Sequence, residues 1–329
     1  MVLPFDPLRR KWLDLGPTNP GLIDELRPLL VVFIAFDRDR KATALGSGII
    51  TAASKGVAVA LTARHVMAEG AVSAQKPHLD RSGGFFREFR AGDHLSLHRE
   101  RLKVCWMGQK NAAFLDVLST NFNDYADLQG CFLAARTGEE AEFLVDSGVS
   151  IDLRPVQKGE VVYQLSCGDI SLIETQVPIQ KDGGGQVLKI KNHVSLRVGT
   201  VTNVFPQGRP LTKGPAFETS IPSSPGMSGG AVLRIEDNRP SICGIISSDF
   251  SVKKAHVNFF SSGSTAAMMV WPTLALKLIT SETAQQTWFD AMQRGVLPMP
   301  IGGLEGFKLN ESVDGTIEMT VPADQFSGY

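Results

Sequence analysis

A single serine surrounded by glycines is the strongest chemical feature of this sequence. Residues 223–232 read SSPGMSGGAV, with Ser228 between Gly226 and the pair Gly229 and Gly230, directly before an apolar run. Glycine adopts positive φ angles at no steric cost and lets other groups approach the backbone, so the pattern predicts a tight turn with exposed amides. A hydroxyl on such a turn is suited to nucleophilic attack. The amides of Gly226 and Ser228 are suited to stabilise an oxyanion beside it.

A serine hydroxyl needs a base to accept its proton and an acid to hold that base. His65 is a candidate base because it follows GVAVALTAR, where an apolar strand passes into a short turn that is predicted to be helical. A lone histidine in such a place is more often structural than catalytic. The case for a catalytic role of His65 therefore depends on the presence of Ser228.

The elements that must position these residues are predicted to be strands. Short β-rich runs recur between turn signals, among them LLVVFIAF, GVAVALT, DLQGCFLAA, VVYQLSCG, AVLRIE and ICGIISS. Strands of this length, without amphipathic helices between them, predict an all-β barrel or sandwich fold. The polar segment 137–160 has no long apolar run and is predicted to join two β modules. Two barrels are therefore expected.

One helix is predicted near the C terminus. Ser281 is expected to cap a helix through ETAQQTWFDAMQR, in which Trp288 and Met292 share a face, and Gly295 is expected to end it. After Pro298, a linker and then a short hairpin or loose strand are expected.

Three ordered motifs resemble those of the trypsin-like (chymotrypsin-fold) serine peptidases. The segment 61–66, LTARHV, is similar to that family's T-A-x-H motif, Asp127 to its aspartate, and the segment 226–230, GMSGG, to its G-x-S-G-G motif. The order His, Asp, Ser is also the order of that fold. The resemblance covers residues 30–275 and implies two six-stranded antiparallel β-barrels with the active site between them.

The resemblance implies a role for each member of the triad. His65 would act as general base and then general acid, Asp127 would fix its tautomer, and Ser228 would form the acyl-enzyme. Asp127 is preferred because it stands where a loop enters the apolar run LQGCFLA, the family's usual setting, and Asp116 and Asp124 stay open as alternatives. The implied function is a serine endopeptidase. The alternatives are a catalytically silent, peptide-binding pseudo-peptidase and a serine esterase or self-cleaving domain.

The resemblance also indicates a domain organisation and a substrate pocket. The expected organisation is an N-terminal extension (1–29), a first barrel (30–145), a second barrel (146–280), and a C-terminal helix and tail (281–329). The residues expected to bind substrate are Pro222, Ser223, Ser224, Ser247, Ser248 and Asp249. Pro222 replaces the usual trypsin determinant, so no preference for arginine or lysine is assigned.

Met227 departs from the family pattern in a way that bears on activation. It stands where zymogen-activated members carry an aspartate that pairs with a newly cut N terminus, and methionine cannot form that ion pair. Activation in that form is therefore not expected. The extension is expected to pack on the protein or to contact a regulatory protein partner.

Composition argues against several classes of function. The chain has 329 residues, 43% of them hydrophobic, and 33 basic residues nearly balance 34 acidic ones, so no overall field favours nucleic acid or anionic membrane. The start, MVLPFDPLRRKWLDLG, lacks the pattern of a secretory signal. No apolar run reaches the length of about 18 residues that a membrane helix needs. A cytoplasmic protein that binds a protein or peptide substrate is expected.

The remaining polar motifs predict no metal site and no cofactor. Cys105, Cys131, Cys167 and Cys243 are scattered, which favours free buried thiols, although Cys131 and Cys243 are a candidate pair if the protein is exported. His94 and His98 have a metal-ligand spacing for a helix, but their alternation with leucines favours the polar face of a strand. The glycines at 183–185 lie between charged residues, which favours a flexible turn over a phosphate-binding loop.

Overall fold

The computed structural model describes most of the chain. The described residues are 5–36, 42–54, 56–68, 102–108, 112–123, 125–143, 148–177, 185–208, 214–247, 264–279, 285–306, 308–311 and 317–320. Several sequence predictions fall outside these ranges: Asp124, Ser248, Asp249, Ser281, the histidines His94 and His98, and glycines 183 and 184.

The N-terminal residues form a short strand and a helix, which are β1 (Trp12–Asp14) and α1 (Pro20–Leu26). Pro20 stands in the first turn of α1, where its missing N–H leaves no intrahelical bond unmade. Ile23 and Leu26 are the buried side chains of this helix and form its inner face. Strand β1 was not predicted, because three residues are too few to show a period.

Six antiparallel strands close the first barrel in the order β2-β3-β4-β7-β6-β5. They are β2 (Leu30–Phe36), β3 (Ala42–Ser54), β4 (Val57–Thr62), β5 (Leu102–Met107), β6 (Ala112–Phe122) and β7 (Gln129–Ala135). Strand β2 is buried along nearly its whole length, because its run LVVFIAF has no polar alternation and must be covered on both faces.

The second barrel follows a short helix, α2 (Gly138–Phe143). Its strands are β8 (Val161–Val177), β9 (Gly185–Phe205), β10 (Ala216–Thr219), β11 (Ala231–Glu236), β12 (Arg239–Ile246) and β13 (Thr265–Met269). They run in the order β9-β10-β13-β12-β11-β8, and β8 closes the barrel on β9. Strand β1 adds to the outside of β9. Two closed six-stranded antiparallel barrels confirm the predicted all-β, trypsin-like architecture.

The predicted C-terminal helix begins much later than expected. Strand β14 (Lys277–Ile279) pairs with β15 (Gln285–Thr287), and α3 begins only after them (Trp288–Gln293). The prediction of a helix that starts after Ser281 was therefore wrong. Thr287 and Asp290 form a capping box that sets the real start, and Gly295, with φ +72°, ends the helix as predicted.

The rest of the C-terminal segment and the cysteines follow the sequence predictions. Strands β16 (Lys308–Glu311) and β17 (Ile317–Thr320) form the expected hairpin. All four cysteines are free and buried. Burial raises the pKa of the Cys105 thiol to about 12. Within the described ranges, no helix combines the length and apolar character that crossing a bilayer requires.

Candidate active site

His65 lies just after the end of β4, in a single helical turn formed by residues 64–68. The turn is closed by a hydrogen bond from the Val66 amide to the Ala63 carbonyl at 3.1 Å. Next to His65, the Arg64 guanidinium stacks on the Phe122 ring, 4.2 Å from its centroid. These contacts hold the backbone of His65 at the edge of the first barrel, as the apolar-to-turn pattern predicted.

Asp127 lies in the loop between β6 and β7, and the shape of that loop is set by Asn123. The Asn123 side-chain oxygen accepts the amides of Tyr125 at 2.8 Å and Ala126 at 3.1 Å. The backbone amide of Asn123 donates to the Leu128 carbonyl at 3.1 Å. Because both ends of the loop are bonded to each other, Asp127 is held in a tight reversal next to β4.

The structure brings Asp127 directly onto His65. The His65 amide donates to Asp127 Oδ1 at 2.9 Å, and His65 Nδ1 lies 2.7 Å from Oδ2. The Ser247 hydroxyl, which comes from the second barrel, donates to the same Oδ2 at 2.5 Å. The His65 and Asp127 side chains are only 12% and 21% exposed. Three donors from two barrels therefore surround one largely buried carboxylate.

These contacts keep the carboxylate ionised. Burial raises the pKa of Asp127, but the charge of His65 and the hydrogen bonds from the His65 ring, the Ser247 hydroxyl and the His65 amide together lower it to about 2. A carboxylate bonded to Nδ1 requires the proton of neutral imidazole to sit on Nδ1, which makes Nε2 the basic nitrogen.

The alternative acid Asp116 is engaged elsewhere. It lies on β6 opposite Lys103 of β5, and the Lys103 ammonium reaches its carboxylate at 2.6 Å. Asp116 thus forms a cross-strand ion pair within the first barrel.

Residues 224–230, which we call the serine turn, show why glycine surrounds Ser228. Gly226 and Gly229 have φ angles of +89° and +83°, a region that other residues rarely adopt. A Cβ atom at Gly229 would overlap the Ser47 carbonyl and the Thr62 hydroxyl. The Gly229 amide donates to the Ile246 carbonyl at 2.8 Å, which ties the turn to β12. Both the backbone conformation and the available space therefore require glycine.

Ser47 of β3 holds the serine turn against the first barrel. Its amide donates to the Ser228 carbonyl at 2.7 Å, and its hydroxyl donates to the Gly226 carbonyl at 2.7 Å. The same hydroxyl accepts the Cys167 amide of β8 at 3.0 Å. Sequence reasoning missed Ser47, although a serine between two glycines within a buried strand was a signal for a close backbone approach.

Gly46 shows how closely the serine turn approaches the histidine segment. A Cβ atom at Gly46 would lie 2.8 Å from the Ser228 carbonyl oxygen and also 2.8 Å from a methyl group of Val66. The backbone of Ser228 and the residue after His65 thus pack against the same point. The Ser228 backbone therefore lies close to the segment that carries His65, which itself contacts Asp127.

The predicted pocket residues in the described ranges have structural contacts of their own. The Pro222 carbonyl accepts a bond from Arg197 at 2.9 Å, and the Ser224 hydroxyl donates to the Met227 sulfur at 3.0 Å. Ser223 is half-buried beside them. The Ser247 amide is used in the sheet, where it donates to the Ala266 carbonyl at 2.9 Å. The contact of the Ser247 hydroxyl with Asp127 was not foreseen.

Comparison with known proteins finds likenesses among solved structures alone. No family model and no curated protein matches this sequence. Among solved structures, the chain is similar to the thermostable serine protease AL20 from an extremophilic microorganism, with 11% identity and a TM-score of 0.38 over 74% of this chain and 91% of that one. A likeness at that level carries no argument about chemistry. The fold assignment rests on the strand pairing, and the site rests on its own geometry.

Proposed function

We propose that this protein is a serine endopeptidase that uses His65, Asp127 and Ser228 as a catalytic triad. The observation that carries the proposal is the double attachment of His65 to Asp127, through its ring and its amide. This attachment orients the imidazole, selects its tautomer and places a buried negative charge beside it. A general base next to a serine hydroxyl needs these three properties.

In the acylation step, Ser228 Oγ attacks the carbonyl carbon of the scissile peptide bond and His65 Nε2 takes the hydroxyl proton. His65 then donates this proton to the leaving amine as the C–N bond breaks, which leaves an ester on Ser228. Water attacks the ester with the same base, releases the acid product and restores Ser228. Asp127 stays ionised throughout and stabilises the imidazolium, in keeping with its pKa of about 2.

The amides of Gly226 and Ser228 are the proposed oxyanion hole. The Met227 carbonyl, which shares a peptide plane with the Ser228 amide, accepts the Gly230 amide at 3.0 Å. Ser47 holds the carbonyls of Gly226 and Ser228, so the backbone of the serine turn is held before substrate binds. Preorganised amides of this kind need no rearrangement when charge develops on the substrate oxygen. Removal of one such donor typically lowers the rate by about 10²- to 10³-fold.

Covalent labelling with a fluorophosphonate probe tests the proposal. We expect the wild-type protein to be labelled and peptide mapping to place the adduct on Ser228. We expect Ser228→Ala and His65→Ala to lose labelling while circular dichroism shows both to be folded. Ser241→Ala is the matched control, because this serine is also buried, on β12 within the second barrel, and it should be labelled like wild type.

Two further results separate the remaining functions. Absence of labelling in a folded wild type would argue against an activated serine and favour the peptide-binding pseudo-peptidase. Labelling with turnover of esters but not of peptides would favour the esterase. Cleavage of a peptide library by wild type, lost in Ser228→Ala, is the result that we expect.

A further inference from the structure

The N-terminal strand is built into the barrel that carries the serine turn. Strand β1 pairs with β9 so that Asp14 lies opposite Arg197. The Leu15 amide extends this pairing with a bond to the Leu196 carbonyl at 2.8 Å. On its other side, the Ser220 hydroxyl donates to the Lys11 carbonyl at 2.5 Å. Residues 11–15 are therefore anchored to β9 and to the segment that leads into the serine turn.

Arg197 connects this strand to the serine turn. Its Nη1 donates to the Pro222 carbonyl at 2.9 Å and lies 3.7 Å from the Met227 sulfur. Its guanidinium stacks on the Trp12 ring, 5.5 Å from the centroid, and its Nε lies 3.9 Å from an Asp14 carboxylate oxygen. The Arg197 side chain is only 16% exposed, so these contacts form in a partly desolvated site. One cation thus joins two β1 residues to Pro222 and to Met227, the residue before Ser228.

Met227 converts this contact into a constraint on the oxyanion-hole backbone. Its amide donates to the Ser224 carbonyl at 3.2 Å, and its sulfur accepts from the Ser224 amide at 3.1 Å. The side chain is fully buried in the core of the second barrel. Because the Met227 carbonyl and the Ser228 amide share one peptide plane, we expect a displacement of Met227 to move the Ser228 donor.

We propose that Arg197 is a positioning residue for the serine turn and that the N-terminal strand holds it in place. Residues 11–15 thereby set the reactivity of Ser228, an inference that rests on the proposed peptidase function. In zymogen-activated members of the family that the motifs resemble, an aspartate at the Met227 position receives a new N terminus. Here residues 11–15 act through Arg197 on a carbonyl and a thioether.

The test changes β1 and leaves Arg197 and the serine turn intact. In the double variant Trp12→Ala/Asp14→Asn, Arg197 loses its aromatic and ionic partners. It can still form its hydrogen bond to the Pro222 carbonyl. We expect the maximal rate of fluorophosphonate labelling to fall about tenfold, with the half-saturating probe concentration nearly unchanged. The maximal labelling rate of Arg197→Gln should fall by at least as large a factor. Arg197→Lys should lie between Arg197→Gln and wild type, since an ammonium cannot stack and bond in the guanidinium geometry.

Arg9→Ala is the matched control in the same N-terminal segment. The Arg9 side chain is 85% exposed and pairs with Asp6, so its removal should leave labelling at the wild-type rate. All assays are run below the lowest melting temperature of the set, which separates a displaced serine turn from global unfolding. Labelling of the double variant and of Arg197→Gln at the wild-type rate would overturn the inference and leave the peptidase proposal standing.

Amide hydrogen exchange gives a readout that does not depend on catalysis. We expect a peptide covering residues 220–228 to exchange faster in the double variant than in wild type and Arg9→Ala, while strands of the first barrel are unchanged. If wild type is not labelled at all, the peptidase proposal fails and this measurement still tests the coupling. Equal exchange in that peptide across all variants would overturn the inference.

Discussion

The low pKa of Asp127 leads to a quantitative prediction about stability. Burial opposes ionisation, yet the contacts with His65 and Ser247 lower the pKa from 3.8 to about 2. A shift of this size corresponds to about 2 kcal/mol of folding free energy. Because the pKa is lower in the folded state, the contribution is fully present above the unfolded value of 3.8 and is lost as the pH falls through about 2.

Guanidinium unfolding of wild type and Asp127→Asn between about pH 2 and about pH 6 measures this contribution. The other carboxyl groups titrate in both proteins, so the difference between their free energies of unfolding isolates Asp127. As the pH falls from about 5 to about 2, we expect wild type to lose about 2 kcal/mol relative to the variant.

Two serine variants show whether the named contacts cause the shift. Ser247→Ala keeps the Asp127 carboxyl group and removes one hydrogen-bond donor. Its loss of unfolding free energy with falling pH should therefore be smaller than that of wild type and centred at higher pH. Ser241→Ala removes a buried hydroxyl elsewhere on the same polypeptide stretch and should keep the full step. If the curves of wild type and Asp127→Asn run parallel over the whole range, the contacts do not hold the carboxylate ionised and the reasoning is refuted.

Three further predictions concern local structure. Gly229→Ala should lower the free energy of unfolding by several kcal/mol, because the φ angle of Gly229 is positive and a methyl group there would overlap Ser47. Gly21→Ala should lower it little or not at all, because a methyl group at Gly21 meets open space. Equal melting temperatures of the two variants would contradict this. Thr287→Ala removes the capping box of α3 and should cost about 1 kcal/mol in urea unfolding; an unchanged midpoint would show that the cap contributes nothing. Cys105 should resist iodoacetamide at about pH 8 until denaturant is added, since burial raises its thiol pKa to about 12; rapid modification of the native protein is the contrary result.

The fold was predictable wherever the sequence carried a repeated local signal. Strands such as β2 and β7 lie in largely apolar runs between turn residues, and they form where the pattern places them. Strands β1 and β10 were missed because three or four residues show no period, and their conformation comes from pairing with β9. The helix start was misplaced because residues 285–287 pair with β14, a contact that no helical pattern reveals.

The same distinction between local signals and long-range contacts applies to the candidate site. The glycines around Ser228 and the apolar-to-turn transition at His65 are local requirements of backbone conformation, so the amino-acid sequence by itself determined that a reactive turn and a nearby imidazole were plausible. The choice of Asp127 over Asp116 depended on which carboxylate the closed barrel brings to His65.

The supporting contacts were decided by tertiary structure alone. Ser247 reaches Asp127 across 120 positions of the chain, and Ser47 reaches Gly226 across 179. A hydroxyl or guanidinium has many partners that would satisfy it equally well, so its residue type does not specify which one it meets. Only the closure of two barrels against each other, with β1 added to the second, brings Ser47, Ser247 and Arg197 to the residues that they hold.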